Sequence, residues 1–275
     1  MKYTPKALEG NVNVTNVSPV KEFFVLMGGV LAIVIIIYAA LGIAVDQMVE
    51  RIPQKMDSLL GVVFSAKFSD EKRSDDEIKL QRMVDELIEK YPQMGSDYRV
   101  HIVDSRTVNA VAMPGGNIII FSQLLSEIES ENELAFILAH ELGHFANRDH
   151  LRGLGRGLIL IALSTMIMGQ DSAATDFLMN SLVTAEMKFS QSQEKSADAF
   201  ALEMLSRRYG HVSGAGDFFK RLNSKNKAGK IRYYFASHPH PEDRIKALDR
   251  LVKEKNYSMG EIKGVEKNLL PSGQE

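Results

Sequence analysis

From Phe23 to Val45 the chain reads FFVLMGGVLAIVIIIYAALGIAV, without one charged side chain, and this run constrains the fold more than any other feature. As a helix rising ~1.5 Å per residue it covers roughly 35 Å, enough to cross the ~30 Å hydrocarbon core of a bilayer. Lys21 and Glu22 stand before it, and Asp46 and Glu50 follow it. Ala39, Ala40 and Ala44 offer small residues near its end, as in a cleaved signal. The run nevertheless exceeds the ~7–15 apolar residues of a signal peptide and follows a long polar tail, so an uncleaved single-pass anchor is expected. A buried soluble helix is disfavoured because no polar stripe runs along it. Lys2, Lys6 and Lys21 precede the span, against Arg51 and Lys55 just after it. By the positive-inside rule this leans the main domain to the non-cytoplasmic side.

Composition removes several chemistries. The 33 basic and 35 acidic residues leave a net charge of −2, which is no footprint for nucleic acid. There is no cysteine, which excludes disulfide scaffolds, zinc ribbons, thiol catalysis and iron–sulfur clusters. Any metal must therefore be held by His, Asp or Glu.

The sequence divides into a polar tail (1–22), the anchor (23–45), a juxtamembrane connector (46–74), a main domain (75–255) and a C-terminal tail (256–275). Ser74 and Glu77 form a capping-box pattern before Ile78, Leu80, Met83, Val84, Leu87 and Ile88, which lie on one helical face that Pro92 closes. Strands are expected at Arg99–Val103, within Val108–Met113 and at Asn117–Phe121, with Pro114-Gly115-Gly116 as the turn. Ser122 can cap a short helix, and Ser130 with Glu133 repeats the capping box ahead of a longer one. A second apolar run, Gly157–Gly169, is only about 20 Å long as a helix, too short to span alone, so a core helix is expected there.

The chemistry sits in FILAHELGHFANRDH, residues 136–150. His140 and His144 are four apart, about 400° of helical rotation, so both imidazoles leave one face as two ligands of a tetrahedral Zn²⁺ could. Glu141 is placed to take a proton from a metal-bound water. The third ligand has two candidates. His150 would give HELGHFANRDH, similar to the metzincin pattern, with Asn147 in place of its helix-breaking glycine and Met166 or Met168 as a strained candidate for the methionine turn. Glu194 lies in a segment of helical apolar spacing, Ala185 to Met204, with Asp198 on the same face four residues on. Glu194 could close the shell while Asp198 fixes a histidine tautomer.

HELGH, then ExxAD at Glu194–Asp198, then His238-Pro239 with Arg244-Ile245, resembles the M48 metallopeptidases, the gluzincin group that includes Ste24, HtpX, OMA1 and BepA. NAVAMPGG at Asn109–Gly116 is similar to the NAFALPGG segment of that family. The resemblance implies a mainly helical α+β, zincin-like domain with a small sheet, preceded here by one transmembrane helix. It implies one Zn²⁺ per chain on His140, His144 and Glu194, Glu141 as base and Asp198 as second carboxylate, and it makes His150 a surface residue. His238 then reaches the metal as a fourth, inhibitory ligand or lies near the oxyanion. Gln191 departs from the arginine common before the ligand glutamate, and HtpX-type relatives have two more spans where this chain has only the run at 157–169.

The expected activity is zinc-dependent endopeptidase cleavage of extended polypeptides that pair with Asn109, Ala110, Val111, Ala112 and Met113 as an added strand. The resemblance suggests quality control of misfolded membrane or envelope proteins. The rival classes are a membrane-tethered chaperone or scaffold with a latent zinc site and a metzincin-type protease using His150.

Overall fold

The computed structural model describes residues 18–65, 73–95, 97–183, 189–224, 237–239 and 241–265. The element order is α1 (Pro19–Val49), α2 (Gln54–Ser65), α3 (Asp75–Glu89), β1 (Arg99–Val103), β2 (Ala110–Met113), β3 (Asn117–Phe121), α4 (Ser122–Leu125), α5 (Glu131–Ala146), α6 (Asp149–Met168), α7 (Ala173–Val183), α8 (Gln191–Tyr209), α9 (Asp217–Ser224) and α10 (Pro241–Glu254). A mainly helical domain with one small sheet is thus observed, preceded by an apolar helix long enough to cross a membrane.

Local sequence explains most of these elements. Ser74 and Glu77 form both halves of the capping box on α3, which buries Leu80, Met83, Val84, Leu87 and Ile88. The sheet order is β1-β3-β2, with β1 parallel and β2 antiparallel to β3. β2 and β3 are joined by the three-residue turn Pro114-Gly115-Gly116, in which both glycines adopt positive φ (79° and 77°), a conformation closed to most other residues. Side chains of α3 cover the outer edge of β1, because Gln81 Oε1 accepts from Val100 N–H and Glu77 Oε1 from Ile102 N–H. The other edge belongs to β2.

α5 is the central element, buried from Asn132 to Phe145. Its Ser130 cap accepts from Glu133 N–H, but the Glu133 carboxylate turns to Glu129 N–H and Arg221, so the capping box forms by half. α8 packs along α5 more extensively than any other described helix pair. The crossing is tight at Gly143: a Cβ there would lie 2.9 Å from Ala197 Cα and 3.1 Å from Ala197 O.

Three expectations are corrected. α8 begins at Gln191 behind a Ser190 capping box, so Phe189 precedes the helix, while Ala185 and Met187 lie outside the described residues. The run at 157–169 is no core helix: it is the distal part of a longer helix, α6, which buries only Asp149, His150, Leu151 and Leu154. Part of the stretch read as a tail also packs on the domain, through Ser258 O, Lys263 and Gly264.

The α5–α8 crossing yields a prediction. Gly143→Ala forces the two helices apart by a few tenths of an ångström, and overpacking of this kind costs about 1–3 kcal/mol. A lowered thermal midpoint together with weaker metal retention is expected; a variant with parental values for both would show the contact to be slack.

Candidate metal centre

Three segments of the chain converge on one buried cluster. α5 presents His140 and His144 from one face, α8 presents Glu194, and the segment 237–239 supplies His238. One ligand atom from each lies within 4.8 Å of all the others, and all four residues are buried. His140 Nε2 is 3.1 Å from His144 Nε2 and 3.6 Å from Glu194 Oε2; His144 Nε2 is 3.6 Å from Glu194 Oε1. His238 Nδ1 lies 3.3 Å from His140 Nε2 and 3.0 Å from Glu194 Oε1. A tetrahedral site with ligand bonds of ~2.0–2.1 Å has edges of about 3.4 Å, so these donors suit a small dication such as Zn²⁺.

The surroundings orient the donors. Asp198 Oδ1 is 3.0 Å from His140 Nδ1 and Asp149 Oδ2 is 3.0 Å from His144 Nδ1, so a carboxylate accepts from each Nδ1–H and both Nε2 atoms face the cluster. Arg244 is buried and binds Asp198 through Nε (2.9 Å) and Nη2 (2.6 Å), while its Nη1 lies 2.7 Å from Glu194 Oε2. Gln193 Nε2 holds the second oxygen of Asp149 at 2.8 Å. Phe189 stacks on the His144 ring at 3.8 Å. Glu141 is fully buried, and neither of its oxygens has a hydrogen-bond partner among the described residues. His238 Nε2 lies 3.7 Å from its Oε1. A buried carboxylate left open beside four ligand atoms is what a site built for a cation and a water requires.

Charge in the metal-free cluster is set by these contacts. Burial opposes ionisation of Glu194 and Asp198, yet His238 and Arg244 around the first, and Arg244 and His140 around the second, hold both carboxyls below the ordinary range. Burial and the Arg244 guanidinium push His140 down. Burial also works against a charged His144, but Asp149 and Glu194 raise it to about 9.

The sequence candidates thus come together, with one exception. Asn109 to Met113 run beside the cluster, where Ser237 Oγ bonds Asn109 Oδ1 and His238 Nε2 lies 3.4 Å from Ala110 O. His150 does not join them: its Nε2 pairs with Asp57 Oδ2 at 3.0 Å, and it is buried rather than on the surface. Met166 and Met168 lie on the exposed part of α6, not at a turn beneath the site. Sequence reasoning missed Asp149, whose signal was a carboxylate in the first turn after the HELGH helix, and it gave Arg244 no role.

A family model described as Peptidase family M48 matches residues 74–252. The putative beta-barrel assembly-enhancing protease of Vibrio cholerae is 27% identical over 173 residues, covering 58% of this chain and 35% of that protein. The mitochondrial metalloendopeptidase OMA1 of Danio rerio is 25% identical over 195 residues, covering 63% of this chain and 41% of its own length. The metalloprotease YcaL of Escherichia coli is 27% identical over 165 residues, covering 58% and 63%. The chain therefore spans less than two thirds of each of these relatives.

Two predictions follow from the contacts around the donors. Asp149→Asn and Asp198→Asn should each weaken zinc retention by about 10–100-fold while keeping the fold, as measured by competition with a chelator. Unchanged affinity in both would separate these carboxylates from the site. For the metal-stripped protein, the depressed Glu194 and Asp198 contribute stability that is present above about pH 4 and lost as pH falls through their folded values. The raised His144 contributes stability that is complete below ~6.5 and lost as pH rises through about 9. Melting curves should show both losses, and Asp149→Asn should blunt the alkaline one.

Proposed function

The chain belongs to peptidase family M48, and from that premise we propose that it is a membrane-anchored, zinc-dependent metalloendopeptidase. Glu141 carries the reading: a buried carboxylate with both oxygens free among the described residues, one position from His140 in a four-donor cluster. A purely structural metal site has no use for such a group.

In this reading His140, His144 and Glu194 hold the metal, Asp198 and Asp149 fix the histidine tautomers, and Arg244 offsets the buried carboxylates. Zinc, when bound, supplies a Lewis acid that polarises the scissile carbonyl and acidifies a water. Glu141 takes the proton from the attacking water and returns it to the leaving amine nitrogen. The substrate is an extended polypeptide that adds to the outer edge of β2. Ala110 turns its polar groups away from β3: its N–H donates to Asn109 Oδ1, and His238 Nε2 lies 3.4 Å from its carbonyl oxygen. The alternation of an antiparallel ladder turns Ala112 the same way.

His238 occupies both the fourth position of the donor cluster and the Ala110 carbonyl that an added strand would use. We read it as a latch that keeps the site closed until substrate pairs with β2. α1 serves as the anchor, with the peptidase domain placed on the non-cytoplasmic side by the lysines of the tail, and misfolded membrane or envelope proteins are the proposed substrates. Full burial of the cluster also favours a second reading, a tethered chaperone whose zinc site stays latent.

A single substitution separates the two. Glu141→Gln should keep one zinc per chain while cleavage of an unfolded polypeptide such as casein falls by about 10²–10⁴-fold. Equal cleavage by parent and variant would sink the catalytic role, and zinc-loaded parent that binds but never cuts would favour the chaperone.

A further inference from the structure

The largest exposed apolar surface outside α1 lies on α6 and α7, and it is aligned with α1. α6 leaves the domain antiparallel to α1: Arg156 Nη2 binds Asp46 Oδ1 and Oδ2 at 2.9 and 2.7 Å, and a Cβ on Gly155 would lie 2.7 Å from Val45 Cγ1. Extended outward at equal rise, this register carries Met168 to about the level of Ala32 to Val34, near the middle of the run Phe23–Val45. The residues of α1 that are less exposed than their neighbours, Val34, Tyr38, Gly42, Val45, Asp46 and Val49, recur at the spacing of one helical face.

The polar boundary is shared. Asp46 is the first charged residue after the apolar run of α1, Arg156 is the last on α6, and the two are paired with each other. Beyond them α6 has no charge through Met168, and Leu158, Met166, Ile167 and Met168, with Phe177 on α7, are exposed. At the turn the hydroxyls satisfy one another: Ser164 Oγ and Thr175 Oγ1 are 2.8 Å apart, Ser172 Oγ donates to Thr175 Oγ1 at 2.9 Å, and Thr175 Oγ1 donates to Gly169 O at 3.0 Å. Internal satisfaction of this kind is what polar groups need away from water. Asp171 and Asp176 oppose burial, and bilayers accommodate such groups by local thinning and water penetration.

We propose that the α6–α7 hairpin is a second membrane-embedded element, entering the bilayer beside α1 from the peptidase side and returning without crossing it. The proposal rests on the reading of α1 as an anchor. It sharpens the substrate class, because Asp149, which holds His144, precedes Arg156 at the polar boundary by seven residues of one helix, about 10 Å. The metal centre then works on polypeptide lying within a few residues of the membrane surface.

The chain contains no tryptophan, so single tryptophans report their surroundings cleanly. Full-length Met166→Trp, Ile36→Trp on α1 and Lys220→Trp on the domain are reconstituted in phosphatidylcholine vesicles with or without bromines on the acyl chains. Ile167→Trp substitutes should Met166→Trp not reach the parental far-UV spectrum. Blue-shifted emission that brominated lipid cuts by about half at positions 166 and 36, with position 220 untouched, is the expected result. Quenching at 36 alone overturns the hairpin proposal and leaves the anchor standing. Quenching at neither removes the anchor reading as well. A blue-shifted but unquenched position 166 overturns the lipid assignment in favour of contact with a second copy of the chain.

Discussion

Charge burial is the constraint on which the site depends. Glu141, Asp149, Glu194 and Asp198 are all buried within contact of the two histidines or beside them; the buried Arg244 pairs with Glu194 and Asp198, and Arg152 reaches Asp149 from the rim at 3.9 Å. Four carboxylates and two guanidiniums, one of them held at 3.9 Å, do not balance in a medium that penalises uncompensated charge. The imidazoles can make up part of the difference by protonation, which is the direction His144 takes, but protonated imidazoles cannot ligate. A dication relieves both problems together, because it neutralises the carboxylates and releases the ring nitrogens. The close passage of α8 over Gly143 lets these groups lie near enough for that exchange.

Legibility followed the range of the interactions involved. The boundaries of β1 and β3 and the capping box of α3 are local, and the sequence reading located them correctly. The pairing of His140 with His144, and of Glu194 with Asp198, needs only helical periodicity and was equally visible. Other features depend on partners far along the chain. Arg148 takes a left-handed conformation while its guanidinium donates to Val49 O and Ile52 O, about a hundred residues away. His150 is drawn off the metal by Asp57 on α2. The length of α6 was underestimated because the apolar run was measured alone, whereas the helix begins with polar residues that bind the anchor.

Those residues form a junction. In Arg148-Asp149-His150, just after α5, each side chain holds a different group: Arg148 the C-terminal end of α1, Asp149 the donor His144 of α5, and His150 the α2 carboxylate that also accepts Gly115 N–H at the hairpin turn of the sheet. α1, the donor cluster and the β2 hairpin are therefore referenced to three consecutive backbone positions. Tilting α1 against the domain would strain contacts that reach His144 through one intervening residue, so the placement of α1 and the geometry of the donors are mechanically linked.

The same economy governs His238. Its Nδ1 lies among the donor atoms and its Nε2 lies near Ala110 O, so one ring faces the metal position and the edge of β2 at once. An added strand would compete for that carbonyl, and turning the ring to yield it would withdraw Nδ1 from the cluster, since a rigid imidazole cannot move one nitrogen without the other. A segment that pairs with β2 would thereby open the fourth position as it seats, and a free water would not. In the proposed reading, coupling through a rigid ring needs no separate lid: the group that would close the site is the one a correctly placed polypeptide would displace, and backbone pairing, rather than side-chain fit, would be the first condition for cleavage.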